Sequence, residues 1–328
     1  MRCSYSILIY AIFLFGMVNA VASSSANCFL SPGSCGYPDP AYGNVGVPPG
    51  IVLTPALGSA ISTPYTTISG LDIIGALEVN ANNVTISDTR VTLPPPGCGT
   101  QYVTTSICGA WVLVIESGAV GTVIENTELD NYPNVAVQDA VRDYSPGPTL
   151  MNKVYTHGTC SGWIGSQIDI EDSYLLADVK NGTTPCIVGI HLENTYDGGS
   201  YSSSTKLIFN HNTLLNPLGQ TSTIFSKTDF SDLYTLTITN NLLAGGGYTL
   251  YGGGAGTGGS IKGPVTVAGN RFARCLSSSC PDQHGYYPKS GYYGLAAYFN
   301  NTVTKWSGNY WDDSPNQTIC ESGSNGCS

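Results

Sequence analysis

The sequence predicts an all-β chain wound as a single parallel β-helix, a solenoid of about eight or more coils. Three observations carry this: few residues that build helix surfaces, much glycine, and a six-residue pattern that recurs along most of the chain. Of 328 residues, 10% are charged and 40 are Gly, against about 25% charged and about 7% Gly in an average soluble domain. With 7 Lys and 7 Glu, the exposed faces of helices cannot be built in number, which argues against bundles and coiled coils. A hydrophobic fraction of 41% with 21 Tyr is too high for a disordered chain.

The pattern reads apolar, any, Asn/Asp-like, small polar, any, apolar. It begins at Ile86, Ile124, Leu150 (the weakest copy), Ile170, Phe209, Ile238, Val267 and Trp306. A repeat of this size signals stacked supersecondary units. Each copy is a period-2 strand, usually preceded by apolar and small residues, which favours strand over helix. Asn, Asp or Gly at the third and fourth positions suits a sharp bend that needs left-handed backbone and side-chain-to-backbone bonds. Stacking such bends buries one apolar column, fed by Ile86, Ile124, Ile170, Phe209, Ile238 and Val267, with Asn side chains bonding up and down the stack. A β-sandwich would not require one turn motif eight times over.

The flanks fix compartment and domain limits. Residues 1–22 hold Arg2, an apolar core from Ile7 to Val18 and the small-residue end Val18-Asn19-Ala20, the layout of a secretory signal peptide. No later apolar run is long enough to span a bilayer. Residues 23–70 are a Pro/Gly-rich N-terminal segment expected to cap the solenoid, 71–313 are the coils, and 314–328 form a polar C-terminal tail. Ten cysteines remain after the leader, as near neighbours: Cys28 with Cys35, Cys98 with Cys108, Cys160 with Cys186, Cys275 with Cys280, and Cys320 with Cys327. In an oxidising compartment these read as local disulfides, although spacing alone leaves the connectivity open. There is no CxxC pair and the four His are not at ligand spacing, which argues against zinc. Sequons at Asn83, Asn181, Asn300 and Asn316 offer glycosylation sites.

Four stretches carry a family resemblance: Cys28-Phe-Leu-Ser-Pro-Gly-Ser-Cys-Gly-Tyr-Pro-Asp-Pro40, Ile224-Phe-Ser-Lys-Thr-Asp229, Asn240-Asn-Leu-Leu-Ala-Gly-Gly-Gly-Tyr-Thr-Leu250 and Ser307-Gly-Asn-Tyr-Trp-Asp-Asp313. The chain resembles secreted right-handed parallel β-helix proteins of the pectin-lyase-like superfamily. It is similar to a largely uncharacterised group from actinobacterial secretomes. The resemblance covers most of residues 28–313 and implies a right-handed coil and secretion more firmly than any activity. It also implies that substrate lies along an outer strand face, where side chains from neighbouring coils converge.

The strands expected before each turn are Trp111–Glu116, Val135–Asp139, Trp163–Gln167, Val188–Glu193, Thr223–Asp229, Tyr248–Tyr251 and Gly294–Tyr298. His191 alternates with apolar neighbours in Gly189-Ile190-His191-Leu192-Glu193, so it would face outward, and an imidazole serves as acid or base near neutral pH. Lys227 and Asp229 place a cation two residues from a carboxylate, suited to proton abstraction, to neutralising a uronate, or simply to a cross-coil ion pair. Asp197 follows on a loop. In the actinobacterial group a related His…Asp-Gly arrangement recurs there, with different spacing. These four are the catalytic candidates. Asp139, Tyr155, His157, Tyr251 and Tyr298 are the substrate-binding candidates. His211 occupies a turn position held elsewhere by Asn and reads as structural. Asp312 and Asp313 read as capping.

The motif sets of polygalacturonase-like hydrolases and pectate lyases are not intact; Asn194-Thr-Tyr-Asp197 is a distorted echo of one element. No cofactor is firmly implied. Calcium stays open through Asp139 and Asp169. Without its leader the chain holds 11 basic and 22 acidic residues, a net charge of −11, which disfavours nucleic acid and other polyanions. A neutral or weakly charged polysaccharide or cell-wall glycan fits better, with Tyr faces to stack on sugar rings. Two readings stay open: a secreted, monomeric lyase or glycoside hydrolase, and a non-catalytic glycan-binding or cell-surface β-helix.

Overall fold

The computed structural model describes residues 27–93, 111–131, 139–165, 167–177, 206–216, 222–227, 232–253, 259–273, 294–297 and 305–321. These residues are built from strands, with short 3-10 turns at Cys28–Leu30, Pro32–Cys35 and Pro40–Tyr42 as the only helical elements among them. The strands form sheets of eleven, five, nine and three members. Among the described residues the strands pair in parallel, except where Tyr310–Trp311 meets Ser314–Thr318. Among the described residues, no helix is long and apolar enough to cross a membrane.

The chain visits the sheets in rotation. Thr54–Leu57 lies in the first sheet, Ala60–Ile61 in the second and Thr67–Ser69 in the third; then Leu71–Ile74, Leu77–Val79 and Thr85–Ser87 repeat the cycle. Later in the chain a fourth sheet (Ser222–Lys227, Tyr248–Gly253, Gly294–Ala297) takes the second sheet's place in the order. Parallel strands visited in this order are compatible with a parallel β-helix.

The repeat places the core. Ile86, Ile124, Ile170, Phe209, Ile238 and Val267 are all fully buried. They pair in one column of the third sheet. One copy needs correction. Met151, not Leu150, pairs with Ile124 and Ile170, so the weak copy starts one residue later than its sequence suggests. It was hidden because Lys153 stands where the other copies have Asn, Asp, His or Gly. A ninth copy precedes the eight: Ile68 pairs with Ile86 and Gly70 makes the bend. Its fourth position is Leu71, which masked it in the sequence.

The third position of every copy is left-handed: Asp88, Asn126, Lys153, Asp172, His211, Asn240, Gly269 and Gly308 have φ from 47° to 68°. The fourth position instead faces inward and builds a ladder. Asn212, Asn241, Asn270 and Asn309 are fully buried. Asn212 Nδ2 donates to Asn241 Oδ1, Asn241 Nδ2 to Asn270 Oδ1, and Asn270 Nδ2 to Asn309 Oδ1, each at 3.0 Å. Each amide also donates to a carbonyl of the preceding copy, as Asn241 does to Phe209. The buried polar atoms are thereby satisfied.

The N-terminal segment, for which a capping role was expected, contacts the outer side of the first sheet. Phe29 N donates to Asp312 Oδ2 at 3.0 Å, Thr213 Oγ1 to the Pro38 carbonyl at 2.7 Å, and Gly46 N to the Lys153 carbonyl at 2.9 Å. Cys28, Phe29 and Tyr37 form a small apolar cluster with Leu215, Leu242, Ala244 and Ala273. This strap is pinned by the Cys28–Cys35 disulfide, one of the expected pairs. Cys160 and Cys320 are also disulfide-bonded. Cys98, Cys108, Cys186, Cys275, Cys280 and Cys327 lie outside the described residues.

Candidate functional site

The fifth position of the repeat points out of the first sheet, and register stacks it coil on coil. Asp72, Arg90, Glu128, Tyr155 and Tyr174 follow one another across adjacent strands. Arg90 Nε donates to Glu128 Oε2 at 2.9 Å, and Arg90 Nη1 lies 3.9 Å from Asp72. His157 closes the group: its Nε2 is 3.0 Å from Glu128 Oε1 and its Nδ1 is 2.9 Å from Asp130 Oδ1.

His157 reaches these partners because its strand bulges. Tyr155 and Thr156 pair with Tyr174 and Leu175, but Thr159 pairs with Ala177, so two residues oppose one. Gly158, at φ 70°, makes this bend; such bulges re-aim side chains. Asn131 Nδ2 holds the Gly158 carbonyl at 3.0 Å, and Tyr155 stacks on the imidazole with centroids 4.2 Å apart. Burial would raise the Glu128 pKa, but bonds and charges from His157 and Arg90 outweigh it and leave the carboxyl below its ordinary value. The Arg90 guanidinium is raised in turn, first by its bond to Glu128.

A second cluster sits on the second sheet. Trp111 and Tyr144 meet edge to face at 6.3 Å, and the Arg142 guanidinium lies 5.2 Å over the Tyr144 ring. All three are half-buried. Beneath them Asp139, fully buried, is 3.5 Å from Arg142 Nη1. Further along the chain, on the fourth sheet, Tyr251 stacks on Phe225 at 5.1 Å and lies 5.7 Å from Tyr248. Within the second sheet's strand, Asp143 is buried beside Ser145, Thr149 and Trp163; burial pushes its carboxyl up to about 6 against the bonds from those neighbours.

The substrate-binding candidates are therefore divided. Tyr155 and His157 come together on the first sheet, Asp139 lies on the second and Tyr251 on the fourth. Tyr298 and the catalytic candidates His191, Asp197 and Asp229 lie outside the described residues. Lys227 ends the strand Ser222–Lys227, paired at Gly253, and its side chain is not among those described. His211 is confirmed at a bend, stacked on Tyr37 at 5.5 Å and bonded to Asp172. Asp312 accepts from Phe29 N of the strap and pairs as an ion with Arg271, whose Nε lies 2.8 Å from Asp312 Oδ1.

Sequence reasoning missed Glu128, Asp130 and Arg90. A signal was present: Arg90 and Glu128 share the fifth repeat position, and opposite charges at one position of successive coils must meet. Of the strand expected at Val135–Asp139 only Asp139 lies among the described residues, where it opens the strand Asp139–Asp143; that expected at Trp163–Gln167 is seen as Ser161–Ile164. No family model, curated protein or solved structure matches the chain.

Proposed function

We propose that this is a secreted right-handed parallel β-helix protein, of the pectin-lyase-like kind, that acts on polysaccharide as a lyase or glycoside hydrolase. The glycan lies along the side formed by the second and fourth sheets. The observation that supports this most is the pair of aromatic groups there: half-buried Trp111 with Tyr144 and Arg142, and half-buried Tyr248 and Tyr251 over buried Phe225. Amphipathic rings with one accessible face suit sugar rings, and parallel coils repeat about every 4.7–4.9 Å, a spacing that presents such groups in line to a linear polymer. The first sheet is less suited, because the strap covers Leu215, Leu242 and Ala244. In this reading His191, with Lys227, Asp229 or Asp197, supplies acid–base chemistry, and the disulfides fit an oxidising, extracellular location.

One observation favours the second reading, a glycan-binding protein without catalysis. Charged groups on the described sheets are engaged with each other: Arg90 and His157 with Glu128, Arg142 with Asp139, Arg271 with Asp312.

A panel of neutral and uronic-acid polysaccharides, with and without calcium, separates the readings. New ultraviolet absorbance from an unsaturated sugar identifies a lyase; new reducing ends without it identify a hydrolase. Loss of either signal in His191→Ala supports the assigned acid–base role. Binding with no product across the panel supports the second reading, and neither binding nor product overturns both.

A further inference from the structure

We propose that Glu128, Asp130 and His157 form a binding site for one divalent transition-metal ion, on the outer side of the first sheet. One oxygen from each carboxylate and one ring nitrogen lie within 4.8 Å of one another. Nitrogen and oxygen ligands sit about 2.0–2.2 Å from zinc, so two ligands of one ion stand about 3 to 3.5 Å apart at octahedral to tetrahedral angles. The 3.0 Å between His157 Nε2 and Glu128 Oε1 matches that spacing. Water fills the remaining positions.

The surroundings hold these groups in place. The strand bulge at His157 and Gly158 swings the imidazole toward the two acids. Gly158 at φ 70° takes a backbone conformation that L side chains rarely adopt, and a Cβ there would press on Asp130 Oδ1 at 2.9 Å. Arg90 takes Glu128 Oε2 and leaves Oε1 toward the imidazole, the kind of outer contact that orients a ligating carboxylate. The side chains of Glu128, Asp130 and His157 are only 19%, 17% and 9% exposed.

Charge points the same way: the carboxylates of Asp72, Glu128 and Asp130 gather around the Arg90 guanidinium and the His157 ring, and such a cluster attracts a divalent cation. Imidazole with two carboxylates suits zinc or manganese, whereas calcium takes six to eight oxygens.

The test is calorimetric titration of the metal-free full chain with zinc chloride, with manganese and calcium in parallel, on wild type, His157→Gln and Asp130→Asn. Saturable zinc binding is expected. This site is lost in His157→Gln, weakened at least about tenfold in Asp130→Asn, and weaker at about pH 5, where protons compete. X-ray absorption of the zinc-loaded wild type should show nitrogen and oxygen ligands without sulfur, a readout that does not depend on the variants folding. Absence of saturable binding would overturn the proposal, as would sulfur ligation or folded variants that bind like wild type.

Discussion

Asn241 Nδ2 reaches Asn270 Oδ1 on the next coil at 3.0 Å, while Asn241 Oδ1 accepts from the backbone and side chain of Asn212 on the coil before. The carboxamide is fully buried and joins three coils. Replacing it with leucine, of similar size, strips acceptors from Asn212 and donors from Asn270 and Phe209. Each buried group left unsatisfied costs about 1–3 kcal/mol. Asn241→Leu should therefore lose about 3 kcal/mol or more, read from the urea midpoint of unfolding.

Lys153 holds φ 54° at a bend where neighbouring copies have Asn, Asp or Gly. A side chain with a full Cβ is disfavoured there by about 1–2 kcal/mol. Lys153→Gly should raise stability by about 1 kcal/mol, the strain relieved being partly offset by the greater freedom of glycine in the unfolded chain. The reverse change, Gly269→Ala, should lower it, because φ is 68° and a Cβ would meet Asn240 Oδ1 at 2.7 Å. Thermal melts of the two variants should move in opposite directions.

Asp143 titrates at about 6 in the fold, against an ordinary 3.8, because burial penalises its charged form. Between those values the folded chain binds more protons than the unfolded one, so this group lowers stability as pH rises from about 4 to about 6. Two pKa units correspond to about 3 kcal/mol. Asp143→Asn cannot ionise. The stability difference between wild type and this variant should shift against wild type across that window and stay constant above about pH 7.

The strap offers a subtler test. Thr213 Oγ1 donates to the Pro38 carbonyl at 2.7 Å, and both ends of the bond belong to otherwise separate parts of the chain. Thr213→Val keeps the shape but removes the donor, at a cost of about 1 kcal/mol. Amide exchange across residues 28–46 should speed up about fivefold, with the Asn212–Asn309 ladder unaffected.

Much of the fold was legible because one chemistry recurs. A left-handed bend followed by an inward amide demands Asn or Gly at fixed places, so Phe209-Asn-His-Asn and Ile238-Thr-Asn-Asn announce their coils. Lys153 and Leu71 broke that code, and their copies were misplaced or missed, because neighbouring coils can impose a bend that local sequence does not favour. The strap's path was not legible. Its anchors, Thr213 and Asp312, lie 175 and 283 residues from their partners Pro38 and Phe29. The charge cluster was half legible: repeat position aligned Arg90 with Glu128, but His157 joins only through a bulge that no residue pattern encodes.

The most direct test of the account is an equilibrium binding isotherm for soluble polysaccharides, measured on wild type, Trp111→Ala and Tyr251→Ala, with circular dichroism to confirm the fold of each. The account predicts saturable binding of a neutral or weakly charged glycan by wild type, weakened about tenfold in each variant. Absence of binding to every glycan by wild type, or unchanged affinity in both folded variants, would contradict it.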